Sequence, residues 1–178
     1  MSIPSISDTP SNPNILPSNK FVLQASCLPD IQYWCQTVNI PGISIGEAPR
    51  NTPFIDLYSP GDKAILNPFS VTFIIDENFK GWLSIFKWMT SLTFPKDFNQ
   101  YRDLDQRYGA WKKPMPQFSD LQLTVLNTKN NPQFRVKFVN CFPVSLSDIV
   151  LSTTYDQEDT LTSDVTFRYD FFDIEPIV

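Results

Sequence analysis

The side chains most able to do covalent or metal chemistry in this sequence are Cys27, Cys35 and Cys141. No two of them form a Cys-x-x-Cys pair, and the chain contains no histidine. A thiol nucleophile usually relies on an imidazole beside it, and a structural zinc usually on paired thiols or His ligands, so neither chemistry is supported. An odd cysteine count also argues against a disulfide framework, and the three read as buried free thiols. The acidic run Tyr155-Asp156-Gln157-Glu158-Asp159 lacks the glycine and the ligand spacing of a calcium loop, and reads as a solvated hairpin tip. Nothing nominates a particular carboxylate pair for glycoside hydrolysis. With five glycines and no phosphate-binding loop, there is little material for a nucleotide cradle. The expectation is a protein that is not an enzyme and needs no metal or cofactor.

Stacking chemistry is the remaining candidate. Trp34, Trp82, Trp88 and Trp111 could serve as platforms for sugars, which keeps a carbohydrate-binding β-sandwich module as an alternative. Trp82 and Trp88 fall in a helical stripe, which counts against it. The aromatics follow strand or helix periodicity and do not interleave with basic residues, so nucleic-acid stacking is unsupported. A net charge of -5 and a pI near 4.6 also disfavour general attraction to phosphate backbones.

The elements that would carry these residues are mostly strands. The chain has 178 residues, 16 prolines and 15 phenylalanines, enough for one domain with a real core. It has no apolar run of membrane-spanning length and no signal-peptide pattern at its start, so a soluble, cytoplasmically made protein is expected. Residues 1–18 are rich in proline and serine and form an N-terminal arm, mobile or docked; residues 19–178 form the domain. Residues 20–26 and 31–40 alternate and are joined by Cys27-Leu28-Pro29-Asp30, which predicts a first hairpin. Phe69-Ser-Val-Thr-Phe-Ile-Ile75 gives a clear strand. From Phe79 to Leu92 the spacing becomes helical, with Trp82, Ile85, Phe86 and Met89 on one stripe facing the core and Asp76 as a candidate N-cap. This is the single main helix expected. Asp97 to Tyr108 reads as one or two short helical turns on a charged surface.

Further strands are expected around Leu121–Val125 and Phe134–Phe138, with Asn127–Pro132 as the hairpin loop between them and an interruption at Cys141-Phe142-Pro143. A final strand alternates from Leu161 to Phe171. The fold class is mainly β (α+β).

The stretch 43–68 is different. Pro49, Pro53, Pro60 and Pro68 forbid a helix and a central strand, and Ser59-Pro60-Gly61-Asp62 reads as a turn. Yet Phe54, Ile55, Leu57 and Tyr58 are too apolar to stay solvated. The expectation is a long extended arm that reaches a neighbouring subunit, with Arg50 and Asp56 setting register at its rim. A flap over the domain's own core is the alternative.

The phrase Asn39-Ile-Pro-Gly-Ile43, the strand Phe69–Glu77 and the helix around Trp82 and Trp88 resemble the tail-tube protein family of contractile-tailed bacteriophages. The family's opening Asn-x-Phe strand matches Asn19-Lys20-Phe21, and its strand ending at a proline matches Pro41. Its W-x-V-x-x-x-x-D-E strand matches Phe69 to Glu77, with Phe69 where the family has tryptophan. The resemblance spans residues 19–178. It implies a β-sandwich or split barrel of antiparallel strands flanked by one helix. It further implies a homo-hexamer whose sheets join into a barrel, and stacked rings that form the inner tail tube. DNA would pass only transiently through the lumen, which an acidic wall would keep from sticking. A baseplate tube-initiator or tube-terminator protein of the same fold is the alternative within the family. Sheath and baseplate proteins would be partners, no membrane is involved, and the place is the virion tail, assembled in the host cytoplasm.

Overall fold

The architecture follows from strand alternation and one amphipathic helix. A computed structural model describes residues 14–25, 27–93, 95–97, 99, 117–152 and 160–177. In chain order the elements are β1 (Phe21–Ala25), α1 (Pro29–Trp34), β2 (Cys35–Val38), β3 (Ile43–Asn51), β4 (Asp56–Leu66), β5 (Phe69–Ile74), α2 (Lys80–Thr93), β6 (Ser119–Leu126), β7 (Pro132–Leu146), β8 (Thr162–Arg168) and β9 (Phe171–Pro176). A seven-stranded antiparallel sheet runs β1-β6-β7-β8-β5-β2, with β9 added on β7, and it does not close into a barrel. β3 and β4 form a separate two-stranded sheet.

The long strand β7 makes this a two-layered body. Its first part, Phe134 to Val139, lies between β6 and β9. Its second part, from Phe142, pairs with β8 instead. The change of partner occurs at Asn140, which adopts a positive φ of 56°. Asparagine tolerates that left-handed conformation better than most residues. The sequence at Cys141-Phe142-Pro143 was expected to interrupt the strand. It instead bends one continuous strand from one layer into the other.

Alternation places the core. On β5, Phe69, Val71 and Phe73 are buried, and Ser70 and Thr72 face away. Leu121, Leu123, Val136, Phe138, Val165 and Phe167 meet them from the other strands. Phe69 stacks on Phe138 at 4.3 Å between ring centroids, and Trp88 lies 6.3 Å from Phe167. α2 closes this core with Gly81, Ile85, Trp88 and Ser91. Its start is organised by Asp76, whose carboxylate accepts from the Gly81 backbone N–H at 3.3 Å. An acidic cap was expected, and it acts from just outside the helix, where the positive end of the dipole favours it. The expected core stripe is half right. Ile85 is buried and Trp82 and Met89 pack at the margin, but Phe86 is 45% exposed. The buried arc is centred on Trp88, about half a turn from Phe86.

Three further expectations change. The first hairpin does not form: β1 pairs with β6, and β2 pairs with β5. Between them Pro29 opens a short helix, α1, where its missing N–H costs nothing and Asp30 suits the first turn. A second helix therefore joins the one expected. The final strand is two strands, because β8 pairs with β5 and β7 while β9 pairs with another part of β7. The loop at 127–131 is as expected: the Asn127 side chain accepts from Lys129 and Asn131, and Asn130 has a φ of 63°. Of the Asp97–Tyr108 turns only Asp97 and Asn99 are described, the Asn99 backbone N–H donating to the Asp97 carboxylate at 3.0 Å; the rest of that stretch, the 155–159 loop and residues 1–13 of the N-terminal arm lie outside the described residues.

All three cysteines are free thiols. Burial pushes Cys141 up to about 12 and Cys35 up to about 11, and raises Cys27. The sign is therefore fixed. Well below the unfolded value of 9.0, both folded and unfolded chains hold the thiol protons. Above it the unfolded chain loses them first, so stability falls as pH rises toward the folded values. Urea midpoints should drop between about pH 8 and about pH 10.5, with a shallower drop in Cys141→Ala. An equal drop in that variant would exclude Cys141 as a source.

Candidate assembly surface

The β3–β4 hairpin is the most exposed regular element. Its strands pair from Ile43 opposite Leu66 to Asn51 opposite Asp56. The tip is residues 52–55, closed by the Thr52 N–H donating to the Ile55 carbonyl at 3.2 Å. The expected turn at Ser59–Asp62 is not one. It lies inside β4 at a register shift, where Gly61 faces Gly46. A Cβ on Gly61 would sit 2.7 Å from the Gly46 carbonyl oxygen, so this crossing requires glycine. The prolines are accommodated because a two-stranded ribbon gives each strand a free side. Pro49 lies opposite Tyr58 and Pro60 opposite Glu47.

The structure brings the proposed arm residues together on this ribbon. Arg50 and Leu57 are cross-strand partners on one face. Asp56 and Tyr58 belong to the other face, and Phe54 and Ile55 form the tip. Phe54 is 93% exposed, and Ile55, Leu57 and Tyr58 are all exposed. The base is tied to the body by Tyr169, whose hydroxyl donates to the Asn67 carbonyl at 2.6 Å, and by Arg168, which donates to the Leu66 carbonyl at 3.3 Å. Burial raises the Tyr169 phenol, so it stays a donor at neutral pH.

The body presents a second set of unfinished surfaces. β1 and β9 lie at opposite edges of the layer β1-β6-β7-β9. Ile174 on β9 is opposite the fully buried Val136 and so points to the core side, yet it is 54% exposed. At the other edge, an open groove of about 460 Å³ runs between Phe21 and Val22 of β1 and Pro29, Gln32, Tyr33 and Cys35. Sequence reasoning missed both. The only signal for Ile174 was its place between Asp173 and Glu175, and the groove depends on α1.

On the outward face of this layer the charges of β7 and β9 pair. Arg135 is opposite Glu175 and Lys137 opposite Asp173, and Lys137 pairs with Glu175 at 2.7 Å. Among the described residues no group of three Cys, Asp or Glu side chains is arranged to hold a metal ion. Nor is any described helix long and apolar enough to cross a membrane. Of the four tryptophans weighed as sugar platforms, Trp88 is buried, Trp82 is partly buried and stacked on Phe86, Trp34 packs edge-on with Tyr33, and Trp111 is outside the described residues. The exposed apolar side chains of the hairpin and Ile174 are features that an assembly contact would cover.

Comparison with known proteins agrees. Residues 7–175 match the family described as phage tail tube protein. The tail tube terminator protein of Enterobacteria phage T4 is 27% identical over 143 residues, covering 79% of this chain and 76% of that protein. Among solved structures, the tube-terminating cap of the anti-feeding prophage superposes with a TM-score of 0.63 at 13% identity, covering 97% of this chain and 98% of the other. A chain of the sheath/tube terminator of an extracellular contractile injection system gives 0.58 at 12% identity, covering 90% and 96%. The two superpositions speak to the fold alone, while the match over nearly the whole sequence speaks to descent. The chain belongs to the phage tail tube protein family, as a tube- or terminator-like structural protein of contractile tails.

Proposed function

We propose that this protein is the terminator of a contractile tail's inner tube, a ring that ends the stack and does not repeat along it. The observation that carries this reading is the 27% identity to a tail tube terminator across most of both chains. The ring is a homo-hexamer, in which β9 of one copy meets β1 of the next. In the layer β1-β6-β7-β9 every neighbour is antiparallel, so β1 and β9 run in opposite directions. Joining these edges continues an antiparallel sheet and covers Ile174, leaving no exposed edge in that layer. The outer face of that layer, with its paired charges, lines the lumen, where DNA passes without a lasting contact. The hairpin, with Phe54 and Leu57, reaches a neighbouring subunit. Sheath and baseplate components are further partners, the site is the virion tail after assembly in the host cytoplasm, and the protein has no enzymatic activity.

Electron microscopy of the purified protein tests this. A terminator gives single rings, of six 20.5 kDa chains or about 123 kDa, that do not stack by themselves. Long filaments would identify a repeating tube protein instead, and a stable monomer at every concentration would remove the ring.

A further inference from the structure

We infer that the groove between β1 and α1 is the receptor for the hairpin tip of a second copy of this chain. The inference rests on the ring reading above and names the surface that the arm meets. Phe54 is a knob without a hole: it is 93% exposed at the end of a hydrogen-bonded turn, so it does not lie in its own groove. The groove is a hole without a knob. Its walls are the apolar sides of Phe21, Val22, Pro29 and Tyr33, and Tyr33 is 79% exposed at its mouth. Its volume of about 460 Å³ takes several side chains, enough for Phe54 with its neighbours Pro53 and Ile55.

Charge and reach agree. The tip carries one cation, Arg50, and one anion, Asp56. Asp30 follows Pro29 in the first turn of α1 and suits Arg50, whereas Lys20, just before β1, already donates to the Thr128 carbonyl at 2.7 Å. Nine residues of β3 span roughly 30 Å at strand rise. A chain of this length has a radius of gyration of about 16 Å, so the tip extends past its own body. The hairpin leaves the body between β2 and β5, with its base tied to Arg168 and Tyr169, whereas the groove runs between β1 and α1. A tip that reaches past its own body toward a different surface makes a heterologous contact, the kind that can close a ring.

The test is intersubunit cross-linking, with Cys35→Ala in every variant so that no native thiol lines the groove. Subunits carrying Ile55→Cys, which leaves Phe54 in place, are mixed with subunits carrying Gln32→Cys and oxidised; a Val150→Cys subunit, with its thiol exposed and outside the groove lining, replaces Gln32→Cys as control. Docking should give disulfide-linked dimers at least about tenfold above the control, because the tip is then held at an effective concentration near mM. Rings that form normally but cross-link no better than the control would overturn the groove and leave the ring reading standing. Cross-linking confined to single chains that carry both cysteines would place the tip in its own groove and also overturn it. If the unmodified protein forms no ring at all, the ring reading fails and the inference goes with it.

Discussion

Trp88→Ala should lower the stability of the subunit by about 3–5 kcal/mol, the usual range for removing a large buried aromatic. Trp88 is 3% exposed, at the centre of the helix face that closes the core, and it lies against Phe167 on β8. Removing the indole leaves a cavity between α2 and the sheet that neither backbone can collapse to fill. Phe86→Ala, two residues away, should cost less than about 1 kcal/mol, because Phe86 is nearly half exposed and, among the described residues, its ring stacks on Trp82 alone. Urea denaturation of the two variants separates them directly. Equal losses would mean that the helix is rotated from the orientation described here, with Phe86 as much a core residue as Trp88.

That pair also shows what the sequence could and could not reveal. Helical spacing located α2 correctly, but periodicity allows more than one arc when apolar residues surround most of the helix. Phe79, Leu83 and Phe86 are exposed on one side while Ile85 and Trp88 are buried on the other. Choosing between the arcs required the sheet. Strong two-residue alternation located β5, β6 and β8, because each has one buried face and one wetter face. The pairing of β1 was not legible, since its partner β6 lies about a hundred residues further on and nothing local encodes so distant a contact. Local reasoning preferred a hairpin to β2, and Pro29, taken as a turn residue, instead begins a helix. At the assembly surface the apolar content of 54–58 was plain, as was its incompatibility with a helix. The hairpin geometry was not, because Pro60-Gly61 is a strong turn signal that here makes a bulge opposite Gly46. The groove required α1 and the edge position of β1 together, and neither was anticipated.

Replacing both Phe54 and Leu57 with serine should abolish ring formation while leaving the subunit folded. The expected separation of the two effects comes from exposure. Both side chains are accessible in the single subunit, and β3 and β4 pair only with each other, so no core contact is lost. Surface substitutions of this kind shift stability by no more than about 0.5 kcal/mol. The effect on assembly should be far larger. An isolated two-stranded hairpin is marginal in water, so this one needs a partner surface to be held in place, and the aromatic tip is what a partner would grip. In a ring, the loss recurs at every interface, and a closed assembly cannot tolerate the same weakened contact at each of them. Sedimentation of the double variant beside the unaltered protein, with a thermal melt of each, gives both readouts. An unchanged oligomer would mean that the hairpin is not a ring contact. A large fall in melting temperature of the isolated subunit would mean that Phe54 and Leu57 support their own domain, as the flap alternative requires.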